Sequence, residues 1–462
     1  MKRLALALTG ILGWSAWSQQ LPVRYDPLYD VGAALLKEPL SIAGTPRALD
    51  EWQDALQNAP QSHLRTVALW KLGDAERLPA GHGALFVQTH LYGYLKEDWQ
   101  TPAKATYRVS GVYALGEQAL LEWVWSDAPR LAPPAVVNLP EPSPEVFDTL
   151  PLARLTFRTG EWEWQFGRAP LRWAGGYSGA LLVNDTTPPV AYGKVAFPFR
   201  LPVLGEWRFE QFFAETRQSG RTVWWGGRRF ERELGRRWTL SLAEAFKALS
   251  LPDGALSQIA PYYAYQKWMS TAERGSGWFN YLAEVGVQYR FGEHNRLYAF
   301  WLTDDMRAPD FWGGRGASTP RKTALLIGAR LYPNPHTRVV LELVRTDGTR
   351  NGGVYGDSGH DPRYAYNLNG FPMGHPFGAN QIGFYGRLDY QHKAWLVSLE
   401  GYNLRRFHAW YGGERGFEFN ASLARQVDER TLIRLRYRTR SLRNAGDPDA
   451  RCGWQLEWQQ RF

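Results

Sequence analysis

From Ala84 onward the chain alternates apolar and polar residues, beginning with ALFVQTHLYGYL and ATYRVSGVYAL. Period-two alternation puts successive side chains on opposite faces of a strand. The last third carries the pattern most clearly, in segments 278–291, 295–306, 322–332, 337–347, 381–391, 394–407, 417–427, 431–440 and 454–462. Within 431–440, Ile433, Leu435 and Tyr437 share one face, and Arg434, Arg436, Arg438 and Arg440 share the other. In 284–291, Val285, Val287, Tyr289 and Phe291 oppose Glu284, Gln288 and Arg290. A row of arginines does not face lipid, and the opposite face is too apolar for water. One face therefore meets lipid and the other a polar lumen.

Connection lengths point the same way. Backward from Phe462 they run long (441–453), short (428–430), long (408–416), short (392–393), long (348–380), short (333–336), long (307–321) and short (292–294). A transmembrane barrel alternates in this manner because one rim carries tight periplasmic turns and the other extended outer loops. The prediction is an all-β transmembrane fold, a closed antiparallel outer-membrane barrel. A strand count gives 18 or 19, and bacterial barrels take the even number. Upstream of residue 278 the parity is ambiguous, and ALSLPDGALSQIA reads as a turn, a bulge or a plug element. The final strand, GWQLEWQQRF, ends on an aromatic. The pattern places Phe462 in the periplasm-side girdle and makes the ending similar to the signal read by the barrel assembly machinery.

The N-terminal part differs. Lys2 and Arg3 precede an apolar stretch from Leu4 to about Trp14, followed by Ala16-Trp17-Ser18, so residues 1–18 read as a secretory signal peptide. The apolar run is shorter than the roughly 20 residues that span a bilayer. No cysteine follows the expected cut, which argues against a lipid anchor. In 19–80, Asp26-Pro27 and Thr45-Pro46 read as helix starts, and Leu64, Val67, Ala68 and Leu72 recur at helical spacing. The expectation is a small helical periplasmic domain over 19–80 and a barrel over 84–462, with the boundary between 80 and 150.

Composition adds to this picture. The chain has 22 Trp, 23 Tyr and 22 Phe spread along most of its length, too much aromatic surface for an ordinary core. Cys452 is the only cysteine, so intramolecular disulfides are excluded even though the signal implies an oxidising compartment. The net charge of +9 comes mainly from arginine, which suits phosphate, carboxylate and aromatic-face contacts. For an exported protein that charge points to acidic polysaccharide or lipid headgroups, with no nucleic acid as partner.

Motifs for catalysis are weak. GDSG at Gly356–Gly359 lies in a glycine-rich loop without the rest of a serine-protease signature, and GYSGA at Gly176 lacks the final glycine of a nucleophile elbow. The nine histidines form no tight metal spacing, and no cofactor, metal or enzymatic activity is expected. The outer loops instead collect Arg307, Asp310, Trp312, Arg315, Arg350, Tyr355, Arg363, Tyr364, Tyr366, Asn369, Trp410, Tyr411 and Arg415. Aromatic faces stack on the apolar face of a sugar, Asn and Asp bond its hydroxyls, and Arg forks pair with uronate carboxylates. These residues are the candidate glycan-binding set.

Two stretches, 171–212 and 369–388, resemble the capsule assembly Wzi family of outer-membrane proteins. The resemblance rests on Trp173-Ala174-Gly175-Gly176, Leu181-Leu182-Val183-Asn184, Pro198-Phe199, Leu204 to Glu210, and Gly374-His375-Pro376-Phe377-Gly378. It covers roughly residues 150 to 462. It implies an 18-stranded barrel behind a small N-terminal helical domain, and a surface lectin that holds capsular polysaccharide to the cell. Trp173, Gly175, Gly176, Gly374, His375, Pro376 and Gly378 are expected to structure the loops. The leading expectation is an outer-membrane lectin or assembly factor whose partners are surface polysaccharide and outer-membrane lipid. The alternative is a porin-like diffusion channel for small solutes, anionic ones among them given the inward arginines; a hydrolase ranks third. Inward Arg434, Arg436 and Arg438 facing Arg387, Asp389, Glu284 and Glu400 would instead fill the lumen with charge.

Overall fold

The computed structural model describes residues 56–94, 104–127, 150–249, 279–304, 322–346, 354–355, 366–368, 371–406, 415–428, 431–444 and 447–461, apart from single positions 58, 60, 73, 174, 186, 219, 236 and 293. Among the described residues, helix α1 (His63–Leu72) precedes the strands. The first half of the sheet is β1 (Gly83–Tyr94), β2 (Lys104–Gly116), β3 (Ala119–Ser126), β4 (Leu152–Thr159), β5 (Trp162–Ala169), β6 (Val190–Leu201), β7 (Gly205–Gln218), β8 (Arg221–Leu234) and β9 (Trp238–Ala248). The second half is β10 (Phe279–Phe291), β11 (Asn295–Asp304), β12 (Lys322–Asn334), β13 (Thr337–Arg345), β16 (Gln381–His392), β17 (Trp395–Arg406), β18 (Arg415–Gln426), β19 (Thr431–Asn444) and β20 (Asp447–Arg461). Between β13 and β16 lies a two-residue-per-strand hairpin, β14 (Asn367–Leu368) and β15 (Phe371–Pro372).

The large sheet has 18 strands, each antiparallel to its neighbours. The last strand also pairs with the first, from Gln88↔Arg461 to Tyr94↔Gln455, so β1 has β2 on one side and β20 on the other. All nine strands expected in the last third form. The loop expected at 441–453 does not: β19 and β20 pair from Thr431↔Gln460 to Asn444↔Asp447, leaving 445–446 between them. The polar residues there lack an apolar stripe, but backbone hydrogen bonding continues a ladder without one. One rim carries short turns throughout, such as 117–118, 160–161, 335–336 and 393–394. The other carries the long connections, 170–189, 249–278 and 346–380 among them, with 219–220 and 445–446 as short exceptions.

Burial is inverted relative to a water-soluble protein. Leu85, Phe166, Leu297, Ile327, Leu343, Phe384, Phe417 and Leu456 are all exposed on the outward face, while Glu122, Arg229, Lys247, Glu342 and Asp389 are buried on the inward one. An apolar band exposed around the outside of the sheet, with charged groups buried inside, is stable only with hydrocarbon outside. Among the described residues no helix is long and apolar enough to cross a membrane.

Helix α1 begins at an N-cap, where Ser62 Oγ accepts the Arg65 amide at 3.1 Å. Its Val67, Ala68, Trp70 and Leu72 pack with Phe86, Val112, Ala114 and Leu120, on the inward side of β1–β3. Lys71 pairs with Glu122, and the Arg158 guanidinium lies 4.2 Å over the Trp70 ring. The helix is thus seated against the sheet at the short-turn rim. Residues 19–55 of the expected helical domain lie outside the described residues, as does ALSLPDGALSQIA beyond Leu249.

Candidate functional site

The lumen is occupied by two connections from the long-loop rim. Leu171, Trp173, Leu181, Leu182 and Val183 of the first, and Val354, Tyr355, Tyr366, Leu368, Met373 and Phe377 of the second, share one core with inward residues of β3 to β17. The longest expected outer loop, 348–380, therefore turns inward at its described residues. Apolar residues at the loop ends explain this: they find a dry surface only inside the barrel wall.

The first segment is closed on itself. Trp173 N–H donates to the Val183 carbonyl at 3.0 Å, and Ala180 N–H to Asn184 Oδ1 at 3.1 Å. Arg172 bridges Asp185 at 3.1 Å and the Gly176 carbonyl at 2.6 Å. Its tip docks on one wall residue, Glu342 of β13. That carboxylate accepts Tyr177 N–H at 2.5 Å, Ser178 N–H at 2.8 Å, Tyr298 O–H at 2.5 Å and the Ser178 hydroxyl. A Cβ on Gly176 would stand 2.3 Å from Glu342 Oε1, which is why glycine is required there. Beyond the tip, Arg330 donates to Tyr177 Oη at 2.8 Å, and the Arg338 guanidinium lies 5.7 Å from its ring centroid.

The second segment clasps the first. Asn184 N–H donates to the Met373 carbonyl at 2.9 Å, and Tyr355 O–H to the Leu181 carbonyl at 2.7 Å. His375 N–H donates to Tyr355 Oη at 3.1 Å, and Trp225 Nε1–H to Tyr366 Oη at 3.1 Å. A Cβ on Gly374 would meet the Leu181 carbonyl at 2.4 Å, and Pro376 lies against Gly179. Gly378 turns the chain back toward β16 with φ +72°. Trp173 donates to Glu210 at 2.7 Å, and Gly175 packs on Ala180. Every residue expected to structure the loops thus sits in this plug, bringing together motifs about 200 positions apart, as the Ser178–His375 separation of 197 shows.

Ser178, His375 and Glu342 meet without forming a catalytic triad. His375 Nδ1 accepts the Phe377 amide at 3.3 Å, so the ring proton sits on Nε2, 3.1 Å from Ser178 Oγ. Ser178 in turn donates to Glu342. The imidazole is a donor to the serine and has no acceptor nitrogen to take its proton. Burial, with the Arg172 charge adding, pushes the His375 pKa down to about 3. Burial likewise raises the phenols of Tyr355 and Tyr366 well above their usual range.

Tyr355 and Tyr366 require correction as glycan-binding candidates: at 4% and 0% exposure they are core residues of the plug. Arg415 opens β18, paired with Arg405 and Arg443. Arg307, Asp310, Trp312, Arg315, Arg350, Arg363, Tyr364, Asn369, Trp410 and Tyr411 lie outside the described residues. Asp389 binds Arg338 at 2.6 Å and Arg387 at 2.9 Å, and Arg387 reaches Glu400 at 3.5 Å. This network lines β13, β16 and β17; Glu284, on β10, is buried elsewhere. Among the described residues, the lumen core includes none from β18, β19 or β20, where Arg434 and Arg436 are half-buried beside Ser422 and Ala424. Glu342, Glu210, Asn184 and Ser178 stand outside the candidate set that the sequence supplies. An isolated acid on the inward face of TRVVLELVR is the one signal that marks Glu342.

Sheet, inverted burial and internal plug define a class, the outer-membrane β-barrel fold. No family model matches the chain, and no curated protein matches it in sequence. Among solved structures it is similar to Wzi, an outer-membrane protein involved in group 1 capsule assembly in Escherichia coli and a carbohydrate-binding β-barrel. Identity is 14%, coverage is 96% of this chain and 99% of that one, and the TM-score is 0.61. Acinetobacter baumannii OccAB2 (8% identity, 82% and 98% covered, TM-score 0.47) and Pseudomonas aeruginosa OccK10 (11%, 83% and 99%, 0.46) also align, at scores too low to bear on function. The likeness to Wzi is one of fold.

Proposed function

We propose that this chain resides in the outer membrane, short-turn rim in the periplasm and long loops at the cell surface, and binds capsular or exopolysaccharide as a non-enzymatic lectin or assembly factor. The observation that carries this reading is the plug. Two segments hydrogen-bonded to each other and to Glu342, Glu210 and Asp304 fill the lumen with an apolar core, an arrangement opposed to free diffusion. The carbohydrate-binding description of Wzi, whose fold this chain shares, supports it, as does the aromatic and arginine content of the long connections. Its partners are an acidic surface polysaccharide, outer-membrane lipid around the apolar band, and the barrel assembly machinery reading Phe462.

Purified chain in detergent, tested on a glycan array that includes uronate polymers, should bind an acidic polysaccharide. Trp410→Ala should weaken that binding by about five- to thirtyfold, a stacking-sized 1–2 kcal/mol. No glycan bound by the wild-type chain would remove the lectin reading. A second reading, an anion passage, is favoured by half-buried Arg434 and Arg436 on a wall that, among the described residues, contributes nothing to the plug core. Large, steady, anion-selective conductance in planar bilayers would choose it.

A further inference from the structure

The outward face of the barrel carries an ion pair where lipid would be expected. On β7 to β9 the inward side is fixed by Glu210, Trp225, Arg229 and Ala245, all buried in the lumen. The register puts Gln211, Arg228 and Glu244 on the opposite side, side by side across three strands. Arg228 and Glu244 form a salt bridge with side chains 12% and 22% exposed. Both lie near the middle of their strands, β8 and β9. Around them the same face is aromatic or apolar: Phe209 and Phe230 (centroids 5.1 Å), Phe213 and Trp224 (5.2 Å), Phe246 and Tyr281 (6.4 Å), and Leu242. Other outward charges on the described strands, such as Arg168, Arg217, Arg345 and Arg425, lie nearer strand ends, where headgroups reach them.

A charge directed at hydrocarbon is costly and marks function unless protein covers it. We propose that this patch pairs two copies of the chain side by side in the membrane. The occupant follows from charge complementarity. Rotation by a half-turn about the membrane normal lays the β8 half of the patch on the β9 half of the other copy. Arg228 then meets Glu244 of the partner subunit, and Glu244 meets the partner subunit's Arg228. Such an isologous contact joins the two intramolecular pairs into one four-charge ring. The aromatic rim surrounds this ring and excludes lipid.

The test uses the full chain in outer membranes on a Cys452→Ser background. Formaldehyde cross-linking of this chain in the membrane should yield a species of twice the chain mass. Arg228→Glu should reduce that species at least tenfold. Exchanging the pair, Arg228→Glu/Glu244→Arg, should restore it, because the swapped patch is again self-complementary. Arg228→Leu/Glu244→Leu keeps the lipid face apolar, so it should retain heat-modifiable mobility and lose the dimer; it decides the matter if a charge reversal fails to fold. A parent chain that stays monomeric, a dimer that survives the double leucine substitution, or an adduct to a protein of different mass would each overturn the proposal.

Discussion

Glu342 is the residue on which the plug turns. Its carboxylate holds four donors, three from Tyr177 and Ser178 and one from Tyr298. In Glu342→Ala those donors lose their acceptor in a buried site, at about 1–3 kcal/mol for each one left unpaired. The expected outcome is protease access to residues 171–185 in folded protein, together with raised conductance; intact protection would show that the carboxylate is dispensable. His375 adds a pH dependence. Its pKa falls from 6.5 to about 3 on burial. Above pH 6.5 both folded and unfolded forms are neutral, and the residue makes stability no steeper. Between pH 6.5 and 3 only the unfolded form takes the proton, so stability falls by about 1.4 kcal/mol per pH unit. Protease protection of residues 371–380 should decline over that window in the wild type, and His375→Gln should flatten the decline.

The elements assign the two rims. Short turns gather at one rim and long connections at the other, with β20 ending at the short-turn rim beside β1. Single cysteines at Asn351 and Lys393, again with Cys452→Ser, should label differently with an impermeant thiol reagent on intact cells, Asn351 strongly and Lys393 weakly. Equal labelling would break that orientation. Deleting Phe462 removes one aromatic side chain, worth about 2 kcal/mol of burial by area. If the residue is read during assembly, insertion should drop far more than that loss implies, and unchanged barrel yield would end that view.

Across the barrel as a whole, the apolar plug and the arginine-bearing β18–β20 wall act in opposite directions. Wild-type chain in planar bilayers should pass little current, because apolar side chains fill most of the lumen. Removing residues 354–377 should open it, and the resulting current should favour anions, given Arg434 and Arg436 on the remaining wall. A channel already open in the wild type, with no gain on deletion, would contradict the role of the plug. Arg363→Ala should weaken binding of an acidic glycan more at low salt than at high salt, because screening already suppresses an exposed charge pair.

Local pattern alone specifies the second half of the barrel wall. Strand alternation is a local property, since neighbouring side chains point to opposite faces whatever lies across the sheet, and so β10 to β13 and β16 to β20 are legible from Val285, Leu341 or Ile433 against their polar neighbours. The spacing of Leu64, Val67, Ala68 and Leu72 likewise marks α1, because helical period is local too. Where alternation lapses, at 441–453, the pattern predicts a loop while the backbone ladder continues as strand. The interior is set by long-range packing and is visible only in three dimensions. Glycines and aromatics at 173–179 and 355–378 signal a constrained loop, but not that one loop wraps the other, nor that Tyr355 and Tyr366 face a core instead of a sugar. Those contacts join residues far apart in the chain, Ser178 to His375 and Tyr177 to Glu342, and their partners are set by where the strands carry them across the lumen. No local pattern encodes that distance.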